Sequence, residues 1–392
     1  MQESFLSNYM TYVKNNEAPT SYHSWCALST LSAIISRRVW ISQGYFIISP
    51  SLYVTLVGTP GSKKTTAMNI AKGIVREIGN IPYISDAVTK EALVLNMSEN
   101  TQVYEDPETK KPIEYTPMTI FAGELCEFFS MSNMNMVNFL TTIFGESTYD
   151  FKTKNKGTQH LEKPYVVFIA CTTPEYISAR LRDDVISGGF SRRAIFVYDI
   201  EETVRTAFPE ITPEMVKAYQ WMIEWGKKLQ SVCGEFAWEQ DARDWYIKWY
   251  NELTFGTDTS TIGYYRSKHT QLLRVAMLVA LSYDTSLVMK IEHLQLAEAF
   301  LLKMEVNLPK VFEGVGRNEL SGVAQKIMSI LCAHKCPVLE KKVYAQIYRD
   351  ANGEEIANVL RHLISTDKVV RFVDAKSGTM LCAKGYEEVQ PS

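Results

Sequence analysis

The sequence predicts an α/β fold with a largely parallel sheet, followed by a helical region and a small unit of helices and a β-ribbon. Four short apolar runs, separated by stretches of helical periodicity, are typical of parallel strands buried on both faces. These runs are LYVTLV (52–57), MTIFA (118–122), YVVFIAC (165–171) and AIFVYDI (194–200). A glycine-containing loop follows the first run and opens the helical stretch TTAMNIAKGIVREI. Strand, glycine loop and helix form the context that a phosphate-binding loop requires.

Composition indicates an ordinary globular protein of two to three domains. The chain has 392 residues, of which 46% are hydrophobic and 22% charged, with a net charge of −3, so a real core is expected. No apolar run reaches the roughly 18 residues that a membrane-spanning helix needs, and the N-terminus, MQESFLSNYM, does not resemble a signal peptide. We therefore expect a cytoplasmic protein without a membrane partner. The net charge excludes a wholly basic surface but leaves room for a local basic patch.

The cysteines are expected to be free thiols. Seven of them are scattered along the chain, and an odd number does not fit a disulfide framework. Apolar runs surround Cys26, Cys126, Cys171 and Cys382, which predicts burial. Cys332 and Cys336 flank His334, but no second ligand pair follows at a suitable spacing, so we expect no metal there.

The candidate phosphate loop spans Gly58 to Thr66 and reads GTPGSKKTT. It matches the pattern G-x-x-x-x-G-K-[ST] at Gly58, Lys64 and Thr65, whereas Lys63 stands where the second glycine is expected. Glycine lets backbone N–H groups turn toward phosphates, and the helix that follows adds its positive N-terminal end. The predicted ATP contacts are Gly58, Thr59, Pro60, Gly61, Ser62, Lys63, Lys64, Thr65 and Thr66.

Within this loop, Lys64 is expected to reach the terminal phosphates and to be essential for catalysis, while Thr65 ligates Mg²⁺. A side chain at Lys63 predicts an altered backbone, with lower nucleotide affinity or a lower rate. The alternative interpretation is a plain glycine turn with lysines there by chance.

Polar residues end the second and third apolar runs. Glu124 follows MTIFA at the place where P-loop ATPases carry an acidic pair, and we expect it to polarise the attacking water and to assist Mg²⁺ binding. The pair here is Gly123-Glu124, so the aspartate of the usual acidic pair is missing. The alternative interpretation of Glu124 is a solvent-facing glutamate that opens a helix. Thr172 ends YVVFIAC, where AAA+ ATPases carry a polar residue that touches the γ-phosphate. Thr172 and Thr173 are equally well explained as a helix N-cap before Pro174.

Two further groups of cations are candidates for function. Arg192 and Arg193 precede the fourth run and have the character of arginine fingers, which act on the phosphate of a neighbouring subunit; surface ion pairs are the alternative. Lysines alternate at Lys152, Lys154 and Lys156 before an Asn-Lys-Gly turn, which predicts a hairpin with lysines on one face. Such a hairpin would contact DNA phosphates, or be simply a solvated charged surface.

The domain boundaries follow changes of pattern. A helical N-terminal region is predicted over 1–48, an α/β core over 49–205 and a helical lid over 206–315. After a polar break containing glycine, three helices and a two-stranded ribbon over 318–392 have the order of a winged helix. Basic residues of this last unit that could meet DNA are Arg361, His362, Lys368, Arg371 and Lys376.

The segments GTPGSKKTT, FAGELCEFF, FIACTTPEYI and GGFSRRAIFVYD, in this order, resemble a P-loop family of phages, plasmids and mobile elements that is associated with primase-helicases. GGFSRRAIFVYD is also similar to the arginine-finger region of minichromosome-maintenance helicases. The resemblance covers about residues 20–310. It implies a P-loop NTPase core of AAA+-like or RecA-like type that acts on DNA as a ring, with Arg266, Lys268 or Arg274 as a second phosphate-sensing cation in the lid.

These observations together predict an ATP- and Mg²⁺-dependent DNA motor, a replicative helicase that acts as a hexamer on single-stranded or forked DNA alongside replication proteins. For a phage-encoded chain the location is the cytoplasm of the bacterial host. Two alternatives remain open. One is a helicase loader or other DNA-bound regulatory AAA+ ATPase, and the other is a non-enzymatic, nucleotide-gated assembly protein.

Overall fold

The chain forms two compact units, Met1–Val315 and Gly316–Ser392. The structure is a computed structural model that describes residues 3–85, 88–129, 134–145, 148–153, 157–180, 189–199, 201, 204–255, 261–312, 319–348, 351–374 and 378–386. The predicted regions 1–48, 49–205 and 206–315 all lie in the first unit. Their division into an N-terminal region, a core and a lid stays a prediction.

The described helices of the first unit alternate with short strands in its first two thirds and dominate its last third. In chain order they are α1 (Phe5–Tyr12), α2 (Thr20–Ile35), α3 (Lys64–Ile78), α4 (Lys90–Glu99), α5 (Leu125–Phe128), α6 (Met134–Ile143), α7 (Pro174–Arg180), α8 (Pro213–Leu229), α9 (Gln240–Asn251), α10 (Ile262–Tyr283), α11 (Ile291–Glu305) and α12 (Leu308–Val311).

The described strands of this unit are β1 (Val39–Ser42), β2 (Ile47–Ile48), β3 (Tyr53–Val57), β4 (Tyr83–Ser85), β5 (Gln102–Glu105), β6 (Pro112–Ala122), β7 (Thr148–Thr153), β8 (Gly157–Glu162), β9 (Pro164–Thr172), β10 (Ala194–Tyr198), β11 (Gly234–Glu235), β12 (Ala237–Trp238) and β13 (Val288–Met289).

The central sheet has the order β10-β3-β9-β6-β4, and every neighbouring pair in that series is parallel. Strand β5 joins it antiparallel to β6. The four predicted apolar runs are β3, β6, β9 and β10, so the α/β class with a parallel sheet is confirmed. Strand β4 was not predicted, because its three residues are only partly buried and form no apolar run.

Helices cover both faces of the sheet, as the continuous apolar strands require. Successive side chains of a strand point to opposite faces. On one face, the hydroxyl of Tyr165 in β9 donates to the carbonyl of Ser32 in α2 (3.1 Å). On the other face, Phe168 of β9 packs against Phe128 and Phe129 at α5.

Helix α2 is buried on nearly every side, from Tyr22 to Ile35. It lies against α3, α10 and β9. A helix that is apolar all round belongs to the interior. The N-terminal helices are therefore part of the core that supports the loop after β3.

Strands β7 and β8 form the antiparallel hairpin that the alternating lysines predict, with Lys152 opposite Thr158. Lys154 and Lys156 lie outside the described residues. The side chains of Tyr149 and Phe151 pack against the core, with the Lys90 ammonium 4.7 Å from the Phe151 ring centroid.

The second unit contains α13 (Glu319–His334), α14 (Glu340–Ile347) and α15 (Gly353–Ser365), with strands β14 (Val338–Leu339), β15 (Val369–Asp374) and β16 (Gly378–Ala383). The sheet order is β14-β16-β15, and both pairs are antiparallel. The three predicted helices and the two-stranded ribbon are confirmed. The two-residue strand β14 was not predicted.

Candidate functional site

The loop between β3 and α3 lies at the carboxyl edge of the parallel sheet. Strands β3, β6, β9 and β10 end there at Val57, Ala122, Thr172 and Tyr198, respectively. In open α/β sheets, ligands bind in the crevice outside this edge. The residues that follow the four strands are therefore brought to one side of the molecule, beside the predicted phosphate loop.

Gly58 is fixed by close packing under the loop. A Cβ atom at this position would lie 2.4 Å from the Tyr22 hydroxyl and 2.6 Å from the Ser62 Oγ. That hydroxyl lies 2.6 Å from the carbonyl oxygens of Val57 and Asp199, to which it donates. The Gly58 N–H donates to the Thr172 carbonyl (3.2 Å). Only glycine fits at the junction of these three strand ends.

Two residues of the loop adopt left-handed backbone conformations. Gly61 has φ +85° and Lys63 has φ +61°. The left-handed conformation of Lys63 explains why glycine usually precedes the lysine of a phosphate loop. A side chain in this conformation costs roughly 1–2 kcal/mol. Lys63 adopts this conformation nevertheless, and its ammonium lies 2.8 Å from the Glu17 carboxylate.

Lys64 places its ammonium group at the centre of the loop. Its Nζ donates to the carbonyl oxygens of Gly58 (2.7 Å) and Thr59 (2.9 Å) and to the Ser62 hydroxyl (3.1 Å). The residue is buried, and this burial lowers the pKa of the ammonium, whereas Cys171, Glu124 and Glu175 act in the opposite direction. The loop thus encloses one cation at the start of a helix.

The first turn of α3 leaves Thr65 and Thr66 exposed to solvent. The Thr65 hydroxyl hydrogen-bonds the Cys171 thiol, yet burial dominates there and raises the pKa of Cys171 to about 12. Thr65 is therefore at the solvent side of the loop, directly over the end of β9. This location is compatible with the predicted Mg²⁺ ligand.

Two carboxylates at neighbouring strand ends act electrostatically on this cation. Glu124 is exposed and immediately precedes α5, so its place at a helix start agrees with either interpretation drawn from the sequence. Glu175 lies in the first turn of α7. Both are close enough for their charge to act on Lys64. The sequence did not single out Glu175.

Thr172 and Thr173 have different roles. Thr172 is buried, and its carbonyl accepts the bond from Gly58. The Thr173 hydroxyl accepts from the Tyr176 N–H (3.3 Å), which is the N-cap interaction that the sequence offered as the alternative.

The two candidate arginine fingers differ in exposure. The Arg193 guanidinium donates to the Gly189 carbonyl (2.9 Å) and lies 5.8 Å from the Phe144 ring. Arg192 is exposed. The Gln271 amide donates to the Arg193 carbonyl (2.9 Å) and fixes this turn against α10.

Two of the three lid candidates are engaged in the core. Lys268 forms a nearly buried ion pair with Glu305 (2.8 Å). Arg274 donates to Ser49 and Ser51, and its burial lowers the pKa of the guanidinium to about 10. These contacts indicate structural roles. Arg266 is the candidate whose side chain is exposed.

The outer face of the hairpin carries mixed charge. Lys152 is exposed. Further along the same face, the His160 ring nitrogens lie 2.7 Å from the Asp150 carboxylate and 3.1 Å from that of Glu162. These two carboxylates raise the pKa of His160, Asp150 having the larger effect.

In the second unit, the basic candidates are mostly on the surface. Arg361, His362 and Lys368 are exposed, while Arg371 pairs with Glu340 (2.9 Å). Lys376 lies outside the described residues.

The cysteine prediction is correct at three positions and wrong at one. Cys26, Cys171 and Cys382 are buried, but Cys126 is exposed. Helix α5 has a single turn that directs Leu125 and Phe128 inward, so the thiol between them faces solvent. In the part of the chain that the structure describes, no three His, Cys, Asp or Glu side chains converge to hold a metal.

Sequence reasoning missed the supports beneath the loop. Tyr22, Asp199 and Glu17 reach it from distant parts of the chain. The high aromatic content of the N-terminal helix was the only local signal of these supports. It predicts that the helix lies in the core, but it does not predict the contact of Tyr22 with the loop.

Neither the known protein-family models nor the curated proteins match this chain. Among the described residues, no helix is long and apolar enough to cross a membrane.

Proposed function

We propose that this chain is an ATP-dependent DNA motor with a P-loop core of AAA+-like or RecA-like type, acting as a replicative helicase in a ring. The observation that carries the proposal is the enclosed ammonium of Lys64. It lies at the start of α3, on the carboxyl edge of a parallel sheet, and the charges of Glu124 and Glu175 act on it.

The residues present fit a magnesium nucleotide. A Cβ at Gly58 would fill the loop, so glycine keeps its backbone close to the strand ends. Lys64 and the N-terminus of α3 would hold the phosphates, and the exposed Thr65 hydroxyl would ligate Mg²⁺. Bound Mg²⁺ would supply charge neutralisation at the transferring phosphoryl group.

Glu124 is the proposed acceptor that orients and deprotonates the attacking water. Its exposure at the strand end leaves it accessible to solvent. Arg192 would stabilise developing negative charge on the phosphate of the adjacent subunit. The proposed assembly is a hexamer in the cytoplasm, with replication proteins as further partners.

DNA would be bound by the β7–β8 hairpin through Lys152, which is exposed, together with Lys154 and Lys156, which lie outside the described residues. The second unit has the element order of a winged helix, with auxiliary contacts from Arg361 and Lys368. Glu354 and Glu355 occupy the first turn of its third helix, where they would repel DNA phosphates.

A second candidate function is supported by two features of the site. Lys63 holds a left-handed conformation, and Gly123 stands where an aspartate would assist the metal. Both favour slow hydrolysis. They suit a helicase loader, another regulatory AAA+ ATPase, or an assembly protein that binds nucleotide without turnover.

The deciding experiment compares the parent with Lys64→Ala and Lys72→Ala. Lys72 lies about two turns further along the same helix and serves as the matched control. We expect Lys64→Ala to abolish ATP binding and hydrolysis, with Lys72→Ala like the parent. Parental activity in Lys64→Ala would refute the phosphate-loop assignment.

The same preparations separate the candidate functions. ATPase rates with and without single-stranded DNA are measured beside unwinding of a forked duplex. DNA-stimulated hydrolysis with unwinding is expected for the motor. Hydrolysis without unwinding indicates a loader, and binding without turnover indicates a nucleotide-gated assembly protein.

A further inference from the structure

The ammonium group of Lys64 has all three of its protons engaged within its own loop. They are donated to the carbonyl oxygens of Gly58 (2.7 Å) and Thr59 (2.9 Å) and to the Ser62 hydroxyl (3.1 Å). A lysine ammonium has three N–H donors and no acceptor. A phosphate oxygen that binds this ammonium must therefore take over one of these three hydrogen bonds or share it.

The two carbonyl acceptors belong to a fixed backbone. The Gly58 N–H donates to the Thr172 carbonyl (3.2 Å), and the Thr59 carbonyl also accepts from the Ser62 N–H (3.2 Å). The third acceptor is a side chain, and its bond to the ammonium is the longest of the three. The Ser62 hydroxyl is therefore the acceptor that a phosphate oxygen can replace with the least change of the loop.

The direction of the Ser62 hydroxyl follows from its second partner, Tyr22 of α2. The two hydroxyls are hydrogen-bonded to each other. The Tyr22 oxygen also lies 2.6 Å from the carbonyl oxygens of Val57 and Asp199, which can only accept. A phenol has a single proton, and these carbonyls use it, so Ser62 must donate to Tyr22. The lone pairs of Ser62 are then left to accept from Lys64.

The phenol of Tyr22 is itself held in place. Tyr22 is fully buried, and the neighbouring Ser21 hydroxyl donates to the Asp199 carboxylate (2.6 Å). Helix α2 thus contacts Asp199 through the main chain and through the side chain. Because Tyr22 cannot turn away without loss of its bonds to two buried strand ends, it keeps the Ser62 hydroxyl in one orientation.

We propose that Ser62, oriented by Tyr22, competes with phosphate for the Lys64 ammonium and thereby sets the nucleotide affinity of the loop. The Ser62 side chain weakens nucleotide binding, which is the opposite of what a phosphate ligand does. Tyr22 is a positioning residue that acts through Ser62. The inference rests on the proposed function, because it concerns the regulation of the same phosphate site.

The test measures the dissociation constant of a non-hydrolysable ATP analogue for the full chain by calorimetric titration. The variants are Ser62→Ala, Tyr22→Phe and the two combined. Ser24→Ala is the matched control, since the Ser24 hydroxyl donates instead to the Thr20 carbonyl of the same helix (2.9 Å). Urea denaturation of each protein separates a change in affinity from a change in stability.

We expect Ser62→Ala to bind the analogue about 2–10-fold more tightly than the parent, the factor that one net hydrogen bond gives. Tyr22→Phe should tighten binding less, because the Ser62 hydroxyl remains but is no longer held in one orientation. In the Ser62→Ala protein, Tyr22→Phe should leave the affinity unchanged, since a positioning residue has no effect without the residue that it positions. Ser24→Ala should bind like the parent.

Three results would overturn the inference while the phosphate-loop assignment stands. Weaker binding by Ser62→Ala would identify its hydroxyl as a phosphate ligand, and parental affinity would show that the ammonium gives up a different bond. An equal loss of affinity on Tyr22→Phe with and without Ser62 would assign Tyr22 a purely structural role. If the parent binds no analogue, or if Lys64→Ala binds it equally well, the proposed function fails and the inference fails with it.

Discussion

Gly58 shows how one atom can decide the shape of the loop after β3. The Tyr22 hydroxyl that would meet its Cβ is held between the carbonyls of Val57 and Asp199. It cannot move away without losing those bonds. The absence of a side chain at Gly58 is therefore a packing requirement, quite apart from its proposed role in phosphate binding.

Gly58→Ala should lower the free energy of unfolding by about 1–3 kcal/mol, the usual effect of overpacking, and weaken ATP binding. Urea denaturation and nucleotide titration measure the two effects. Tyr22→Phe added to Gly58→Ala removes the clashing hydroxyl and should recover part of both losses.

Gly73→Ala is the control for this change, because open space surrounds a Cβ there and alanine favours the helix by about 1 kcal/mol. A Gly58→Ala protein as stable as the parent would contradict the packing argument.

Lys63 combines a strained backbone with an ion pair. Its left-handed conformation is unfavourable for any residue other than glycine, and its contact with Glu17 is partly exposed, so that pair contributes little. The backbone, more than the charge, is therefore the expected cause of any effect that Lys63 has on the proposed ATP turnover.

Lys63→Gly should therefore hydrolyse ATP as fast as the parent or faster. Lys63→Ala is the informative companion, since it removes the ammonium but keeps the strain. Steady-state ATPase assays of the three proteins give the answer. Complete loss of activity in both variants would assign the Lys63 ammonium a direct role.

At the scale of elements, the β7–β8 hairpin separates two kinds of surface. Tyr149 and Phe151 anchor one face to the core, while Lys152 shares the other with the Asp150–His160–Glu162 group. Among the described residues of the hairpin, Lys152 thus lies nearer the turn, and the carboxylates of Asp150 and Glu162 lie nearer the base.

Replacement of Lys152, Lys154 and Lys156 by alanine should weaken single-stranded DNA binding and flatten its dependence on salt, with ATP binding intact. Deletion of residues 318–392 should have the smaller effect. Affinities measured over a range of salt concentrations test both statements. If the deletion abolishes binding and the alanine variant binds normally, the second unit is the DNA-binding part.

The strands that could be predicted from the sequence are those in which nearly every residue is buried. Strands β3, β9 and β10 are apolar at nearly every residue because helices cover both faces. Strand β4 is short and half-buried, so its sequence carries no such signal. The hairpin was visible because the alternation of Lys152 and its neighbours persists over several residues.

The site could be predicted only where its parts are local in sequence. The loop from Gly58 to Thr66 is one segment, and its context could be recognised. Lys268 and Arg274 were proposed as phosphate sensors, but their partners Glu305 and Ser51 come from other segments. No local pattern identifies pairs that form only when distant segments meet, and Glu175 beside Lys64 is another such case.

At the scale of the molecule, the exposure of Arg192 bears on the proposed assembly. Arg192 is exposed on the turn before β10, whereas Lys64 is enclosed. A finger that serves a neighbouring subunit requires such an exposed arginine.

Mixing Arg192→Ala with Lys64→Ala should restore part of the ATPase activity, because each protein supplies the half-site that the other lacks. Rates at several mixing ratios, with mixed assemblies verified by mass, are the measurement. Arg193→Ala is the comparison, as that side chain is bound within its own subunit. Absence of recovery at every ratio would argue against action between subunits.

The strand order also sets when the loop can form during synthesis. Strand β3 lies between β9 and β10, so Tyr53 pairs with Phe168 on one side and Ala194 on the other. Both partners lie more than a hundred residues further along the chain. The ribosome adds about 5–20 residues per second. Both edges of β3 therefore stay unpaired for seconds after this strand has been synthesised. Slower folding and exposure to aggregation are the cost of such non-local pairing, so a nascent chain of this protein depends on keeping β3 soluble until β9 and β10 have emerged.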